Sequence, residues 1–562
     1  MQRPKLRTGL LVDGQELPAW AHRMIEIIRQ SEYAEISLVV QNTPPPETGR
    51  VALSKKITAK IRSGEVCSTG IRLALTAFER FLIGKPGELP NASKQVDTTQ
   101  LLRDVEVIKV SPRRHQFSDY IEGDDLARIQ ARDIDVLIRL GFRILRGEIL
   151  RAARYGVWSY HHGDNMSHRG GPHSYWEVME SSPETGSILQ ILSEDLDNGR
   201  VLYRSFSSTN PMSLEDNGSN VQWKALHFIP RKLKELHEQG GRDFFARVDE
   251  ANAHPVFYDR RLYTAPTNAE RSALLWNKLL EKCSRKWKAT LCRRQWFLLF
   301  DIREDISTSF WRFKHLIPPK DRYWADPFIV SLDNKYYIFI EEYLYDSGKG
   351  HIGVIVMNRD GTFGPSVPVL KASHHLSYPF IFSFEDDLYM IPESRQSRTI
   401  DLYRCTEFPY KWVLQKTLMK DCEAADSTLL QWQDRWWMFV CQLEASEASS
   451  SDELFLYYSD SPLSDRWTPH QRNPIVSDVK SARPAGRLFV RNGRLYRPSQ
   501  NGSGHYGRGF NISEITKLTE TDYEEKIVSR VEPKWDRHII STHTFNYEDG
   551  LTIIDGEMWR RK

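Results

Sequence analysis

Residues 156–199 read GVWSYHHGDNMSHRGGPHSYWEVMESSPETGSILQILSEDLDNG, a span that carries a paired histidine, an Arg-Gly-Gly-Pro turn and a late acidic turn. Upstream lie an apolar segment, Val136 to Leu140, and a helix-like stretch, Gly147 to Arg154. The block therefore enters from a strand-helix unit, and in α/β sheets ligand sites sit at the carboxyl ends of such strands. Further upstream the chain opens β-α-β. An apolar run from Thr8 to Val12 precedes AWAHRMIEIIRQ, where Trp20, Met24, Ile25 and Ile28 recur at helical spacing, and a strand is expected from Ile36. TPPPET at 43–48 reads as a loop, LALTAFERFLIG from Leu73 as a helix, 86–103 as a polar excursion, and VIKV as the next strand. This alternation predicts a doubly wound parallel sheet. It contains no Gly-x-Gly-x-x-Gly turn, so a dinucleotide site is not indicated.

The order Ser159-Tyr160-His161, Arg169-Gly170, Glu184-Thr185-Gly186 and Leu196-Asp197-Asn198-Gly199 resembles the folate-dependent formyltransferase family over roughly residues 5–240. That family carries Asn-x-His, Arg-Gly, Glu-Thr-Gly and Leu-Asp-x-Gly in the same order. The resemblance implies that His161 and Asp197 move and orient a proton, that Arg169 and Gly170 line the substrate, and that the donor is 10-formyltetrahydrofolate. Ser159 stands where the family has an oxyanion-holding Asn, and His162-Gly163-Asp164-Asn165-Met166 replaces its Ser-Leu-Leu-Pro loop. Loss of an oxyanion donor costs about 10²–10³ in rate, so Ser159→Asn is expected to raise activity. Independently of family, a carboxylate accepting one imidazole N–H leaves the other nitrogen open to a proton. The plainer alternative makes His161 a satisfied strand-end residue and Asp197 a turn cap. His162, His168 and His173 read as loop residues, with an anion as the next option; no metal-ligand spacing is present.

At 562 residues the chain should hold two to four folding units. With 77 basic and 74 acidic residues, net charge +3, it has no global field for nucleic acid. Six cysteines without CxxC or framework spacing suit a reducing compartment and free, mostly buried thiols. The start MQRPKLRTGLLVDG lacks a signal-peptide core, and no stretch approaches the ~20 apolar residues that span a bilayer. A cytoplasmic location is expected.

From Glu270, SALLWNKLLEKCSRKWKATLCRRQ places apolar residues at helical spacing on a basic background. It reads as a connecting helix over 266–294, which leaves peripheral contact with an anionic membrane as a second option. Beyond residue 295 short aromatic-rich strands repeat. Asp326-Pro327-Phe328, Tyr378-Pro379-Phe380, Asp426-Ser427-Thr428 and Arg483-Pro484-Ala485 each open an apolar run, with turns at Asn334, Asp386, Asp434 and Arg491-Asn492. Glu341, Glu393 and Cys441 follow the first three openings by a constant interval, and a weaker fifth copy starts near Thr542-His543-Thr544. A period near 50 residues built of hairpins predicts a β-propeller. The count is five blades, although spacing alone also accommodates four or six. Asp326, Tyr378, Asp426, Arg483 and His543 should converge on its axis.

The first blade resembles the five-bladed propellers of family-43 glycoside hydrolases, which implies Asp326 as base, Glu393 as acid and Asp426 as their tuner. The shape also resembles the propeller of glucosamine inositolphosphorylceramide transferases, which implies glycan or glycolipid handling. Arg483 is suited to an anionic ligand, and blade-opening acids also serve purely structural hydrogen bonds. His505, in the Gly-rich QNGSGHYGRGF segment, is expected over the propeller mouth; a plain connection is the alternative.

The expected molecule is thus a formyltransferase-like α/β doubly wound domain (5–265), a basic connecting helix (266–294) and an all-β five-bladed propeller (295–562). Its expected activity is formyl transfer to an amino sugar or glycan precursor. The alternative is a propeller glycoside hydrolase, or a glycan-binding protein with a degenerate N-terminal domain.

Overall fold

A computed structural model describes residues 3–43, 65–84, 88–444, 448–449 and 452–562, without the side chains of 65–73. The expected 43–48 loop lies, after residue 43, outside the described residues. The chain divides into two compact units, Met1–Ser205 with Thr209–Leu280, and Phe206–Ser208 with Glu281–Lys562. The division falls inside one helix, Asn268–Leu291.

Unit 1 is built on seven strands: β1 (Leu6–Val12), β2 (Ala34–Asn42), β3 (Glu106–Val110), β4 (Val136–Arg139), β5 (Val157–His161), β6 (Glu184–Ile191) and β7 (Arg200–Ser208). Their order is β7-β6-β5-β4-β1-β2-β3. β1 to β5 pair parallel, and β6 runs antiparallel to β5. The winding direction reverses between β1 and β4, which opens a crevice at the carboxyl ends of those strands. Leu11, Leu38, Val40, Ile108, Leu137 and Val157 fill one face. The helix Ala19–Gln30 buries Trp20, Met24, Ile25 and Ile28, the stripe its spacing predicts.

Two local expectations give way. Gly147 takes φ +83°, a conformation no α-helix accepts, so after the short strand Ile144–Arg146 residues 147–154 hold only a 3₁₀ turn, Glu148–Arg151, in place of the expected helix. The cysteines are not mostly buried: among the five described side chains, all free, Cys422 and Cys441 are buried, Cys292 and Cys405 half-buried, and Cys283 exposed.

Unit 2 contains five successive antiparallel sheets. Sheet I holds Arg322–Leu332, Lys335–Leu344, Lys349–Asn358 and Val367–Leu370, and sheet II begins at Ser377–Phe384 and Asp387–Glu393. Sheet III opens with Ala424–Trp432 and Arg435–Gln442, and sheet IV with Phe489–Arg491 and Arg494–Asn501. Sheet V joins the two ends of the unit: Cys292–Ile302 pairs along its whole length with Leu551–Arg561. Each inner hairpin turns on two residues, Asp333-Asn334, Glu385-Asp386, Gln433-Asp434, Asn492-Gly493 or Asp549-Gly550, and every pair includes a left-handed residue. Such turns match the strand twist.

Aromatic and aliphatic clusters fill the space between neighbouring sheets. Phe339 and Val354 meet Ile381 and Met390 between I and II. Phe382 and Tyr389 meet Trp436 and Met438 between II and III. Trp437 and Phe439 meet Leu495 and Ile515 between III and IV. Phe510 meets Phe297 and Ile554 between IV and V, and Leu298 and Leu551 meet Ile329 and Ile338 between V and I. The five sheets therefore close a ring, in which each buries its faces against two others.

Candidate functional site

In unit 1 the histidine block caps β5. His161 ends that strand, and its Nδ1 lies 3.6 Å from Asp197 Oδ1. Asp197 is in a left-handed conformation (φ 52°), and its second oxygen accepts the Gly170 N–H at 3.1 Å. The Arg-Gly turn and the Leu-Asp-x-Gly turn, distant in sequence, thus close on each other around the imidazole. Glu184-Thr185-Gly186 has a structural part in this: a Cβ at Gly186 would come within 2.5 Å of the Asp164 side chain and 2.8 Å of its backbone nitrogen. Asp164 pairs closely with Arg204, which also donates to Asn165 Oδ1 at 2.9 Å. These contacts hold the loop that follows β5.

Three assignments change. Ser159 is buried in the sheet, directly across from Arg139 on β4, whose guanidinium donates to its hydroxyl at 3.2 Å; the hydroxyl donates in turn to the Tyr160 carbonyl at 3.3 Å. It is not an open oxyanion donor, and a larger Asn there would overfill a closed site, so Ser159→Asn is not expected to raise activity. Arg169 does not reach into open space: Nε donates to the Asn165 carbonyl at 2.9 Å and the guanidinium lies 4.8 Å over Tyr258. Gly170 (φ 95°) is needed because a Cβ would strike the Tyr263 carbonyl at 2.2 Å. Both residues shape the loop rather than line a substrate.

His161 Nε2 faces the His168 carbonyl at 2.9 Å, so both ring nitrogens meet oxygens. His162 packs against Tyr160, Trp20 and His173, and burial holds it well below the usual histidine range. His168 stacks on Tyr263 at 4.6 Å and is pulled to about 4 by burial and then by His161. Its two ring nitrogens, with His162 Nδ1 and Arg139 Nε, are buried polar atoms without a hydrogen-bond partner. His173 is solvent-exposed at the surface end of the block, 5.5 Å from His162.

At the ring centre of unit 2 the blade-opening residues converge. Asp326, Tyr378 and Asp426 sit at matching β-bulges with φ of 50°, 42° and 53°. That conformation is costly for non-glycine residues and most unusual for tyrosine. The bulges re-aim these side chains inward. Arg483 holds Asp426 by two bonds, Nε at 2.6 Å and a terminal nitrogen at 3.2 Å, and reaches Glu393 at 3.1 Å. Gln500 adds a third donor to Asp426 at 2.7 Å. The Tyr378 hydroxyl lies 2.9 Å from that of Thr428 and accepts the Gly486 N–H at 2.8 Å.

His543 lies between two acids, Nε2 3.0 Å from Asp326 and Nδ1 2.9 Å from Asp555. These three are the one cluster among the described residues spaced for a metal ion. With each ring nitrogen already facing a carboxylate, a proton on the imidazole serves the triad and no cation is required. Burial opposes that charge, but Asp555 and Asp326 outweigh it and lift His543 to about 10. Asp326 is pushed up to about 6 by burial despite His543. Burial, and then the neighbouring charge of Asp426, keep Glu393 well above the ordinary carboxyl range. The centre thus sets Glu393, with its raised carboxyl, and Asp426 on the same Arg483 guanidinium.

Sequence reasoning placed Asp326, Glu393, Asp426 and Arg483 here and expected the loop of Tyr506 over the mouth, but missed Asp555 and Gln500. Asp555 sits mid-strand in an apolar run, LTIIDGEMW, and a buried acid in such a run is the signal that could have flagged it. Tyr506 lies 5.3 Å from the Arg483 guanidinium and 5.0 Å from the His543 ring, so the Gly-rich segment does rim the centre. Its neighbour His505 is exposed to solvent.

Residues 318–542 match the family model described as glucosamine inositolphosphorylceramide transferase 1, N-terminal. The glucosamine inositolphosphorylceramide transferase 1 of Oryza sativa subsp. japonica is 39% identical over 204 residues, 36% of this chain and 27% of the relative. That of Arabidopsis thaliana is 33% identical over 204 residues, 36% of this chain and 26% of the relative. The methionyl-tRNA formyltransferase of Synechococcus sp. (strain CC9311) is 32% identical over 96 residues, 17% of this chain and 27% of that protein. Among solved structures, a thermostable family-43 glycoside hydrolase covers 39% of this chain and 81% of its own, at 15% identity and a TM-score of 0.30. The chain spans about a quarter of the length of the curated relatives it matches. It is similar in separate stretches to a glycosyl-related transferase and, more weakly, to a formyltransferase.

Proposed function

We propose that the chain is a carbohydrate-handling transferase: a formyltransferase-like α/β unit directed at the amino group of a sugar, with a five-bladed propeller whose acid-rich centre binds the glycan. The approach of His161 to Asp197 at 3.6 Å, at the carboxyl end of a parallel strand, carries this reading. An amine that attacks a formyl carbon must shed a proton. His161 is placed to take it, and Asp197 to steady the resulting imidazolium. Because the His168 carbonyl covers Nε2, the loop 162–168 has to move aside before an amine can reach it. The buried unpartnered nitrogens of His162, His168 and Arg139 suit a polar ring ligand beside this pair, which fits a folate donor. Such a donor, when bound, supplies an activated formyl group.

The test is turnover of the full chain with 10-formyltetrahydrofolate and a panel of free and nucleotide-linked amino sugars, read as released tetrahydrofolate. Activity is expected to fall about 10²–10⁴-fold in His161→Ala with the fold intact. Absence of both turnover and folate binding would remove the reading.

A second reading rests on Glu393, a carboxyl raised well above its ordinary range by burial and then by Asp426, with Asp326 across the centre. One proton-holding acid and one partner carboxylate are what glycosyl transfer or hydrolysis needs. Glycan turnover that disappears in both Asp326→Asn and Glu393→Gln while His161→Ala retains it would favour this assignment.

A further inference from the structure

Over Leu274–Leu279 the helix Asn268–Leu291 buries one face, and from Cys283 to Leu291 it is exposed on every side. Leu275 and Lys278 are buried, Lys278 donating to Ser181 Oγ at 2.7 Å, and Leu274 and Leu279 join the same apolar cluster. On the other side Trp276, Leu280, Trp287 and Leu291 are 59%, 52%, 71% and 55% exposed, and Cys283 between them is exposed too. At 100° per residue these five positions fall within an arc of about 80°. Single exposed apolar residues are ordinary, but a continuous stripe with two tryptophans marks a surface that meets something.

The charge around the stripe says what. From Glu281 to Arg294 there are six cations, Lys282, Arg285, Lys286, Lys288, Arg293 and Arg294, and a single acid. A second copy of the helix would set cations against cations. No helix among the described residues is long and apolar enough to cross a membrane, so insertion along the bilayer normal is not the use of the stripe. We propose that this helix lies on an anionic lipid surface, the indoles and leucines entering the headgroup boundary while Lys286 and Lys288, on either flank of the stripe, meet lipid charge. Tryptophan favours that boundary, and basic residues near it add attraction that falls with salt. This is independent of the chemistry assigned to either unit.

The experiment is co-sedimentation of the full chain with vesicles of phosphatidylcholine alone and of phosphatidylcholine mixed with phosphatidylserine, alongside light scattering for mass. Sedimentation is expected with the mixed vesicles, weakening as salt rises, and reduced ~10-fold or more in the double variant W276S/W287S. Lys286 and Lys288 are exposed, so K286E/K288E should weaken binding without affecting the melt. It provides the same test should the tryptophan variant fail to fold. Equal binding to phosphatidylcholine alone, binding unchanged in both double variants, or no binding to either vesicle would overturn the proposal. So would a concentration-dependent dimer that W276S/W287S abolishes, which would assign the stripe to a second copy.

Discussion

At the scale of single residues, two buried titratable groups have opposite logic. Glu177 sits among apolar neighbours with neither carboxyl oxygen partnered, and burial pushes it up to about 7. Its folded value lies above the ordinary 4.5, so folding favours the protonated acid and stability falls as pH rises from about 4.5 to about 7. Glu177→Gln is therefore expected to stabilise unit 1 at pH 8 by up to ~3 kcal/mol, from ~1.4 kcal/mol per pKa unit, read from thermal melts across pH. No gain at pH 8 would mean that a partner satisfies the carboxylate. His543 is a base with a raised folded value, so its contribution is complete below about pH 6.5 and is lost as pH climbs through about 10. In His543→Gln, unit 2 should be destabilised at neutral pH and lose that slope. An unchanged slope would place the proton elsewhere in the centre.

At the scale of elements, the glycines of the histidine block act by letting backbones approach. Gly186 on β6 and Gly163 in the loop after β5 are two such close approaches: a Cβ at Gly163 would lie 2.8 Å from His161 Nε2 and 2.9 Å from His168 Nδ1. Gly163→Ala should displace the His168 carbonyl from His161, and Gly186→Ala should push away Asp164. Each is expected to cost ~1–3 kcal/mol. Nuclear magnetic resonance of the histidine ring protons separates the two, since Gly163→Ala should shift His161 and His168 while Gly186→Ala acts through Asp164 and Arg204. A His161 signal indifferent to both would dissociate the glycines from the site. In unit 2, the hairpins were readable because Asn-Gly and Asp-Gly prefer left-handed backbone. The bulges were not, because Asp and Tyr at positive φ are imposed by pairing across the sheet and not by local preference.

At the scale of the whole molecule, unit 2 closes by joining strands from its two ends. Leu551–Arg561 supplies a partner along all of Cys292–Ile302, together with Ile553 and Ile554 of the core. Removing residues 551–562 leaves an open ring edge and takes Leu551 and Ile553 from one of the five clusters between sheets and Ile554 from another. The truncated chain should lose the unfolding transition of unit 2 while retaining that of unit 1, measured by calorimetry. A wild-type-like transition for unit 2 would mean that the ring is stable open.

Much of this architecture was determined by sequence alone. Helical spacing set Ala19–Gln30, the 50-residue period set the repeat of hairpins while leaving four to six copies open, and the ordered motifs brought Asp197 to His161 because each motif is a local turn with its own preferred backbone. What only the tertiary structure decided is the state of each side chain once it arrives. Ser159 is sealed by Arg139 from a neighbouring strand, His161 is covered by a carbonyl seven residues on, and His543 is charged because Asp555 stands opposite. Each of these depends on how the chain folds back on itself between elements, and neither burial nor the field of a charge across a turn is written in local sequence.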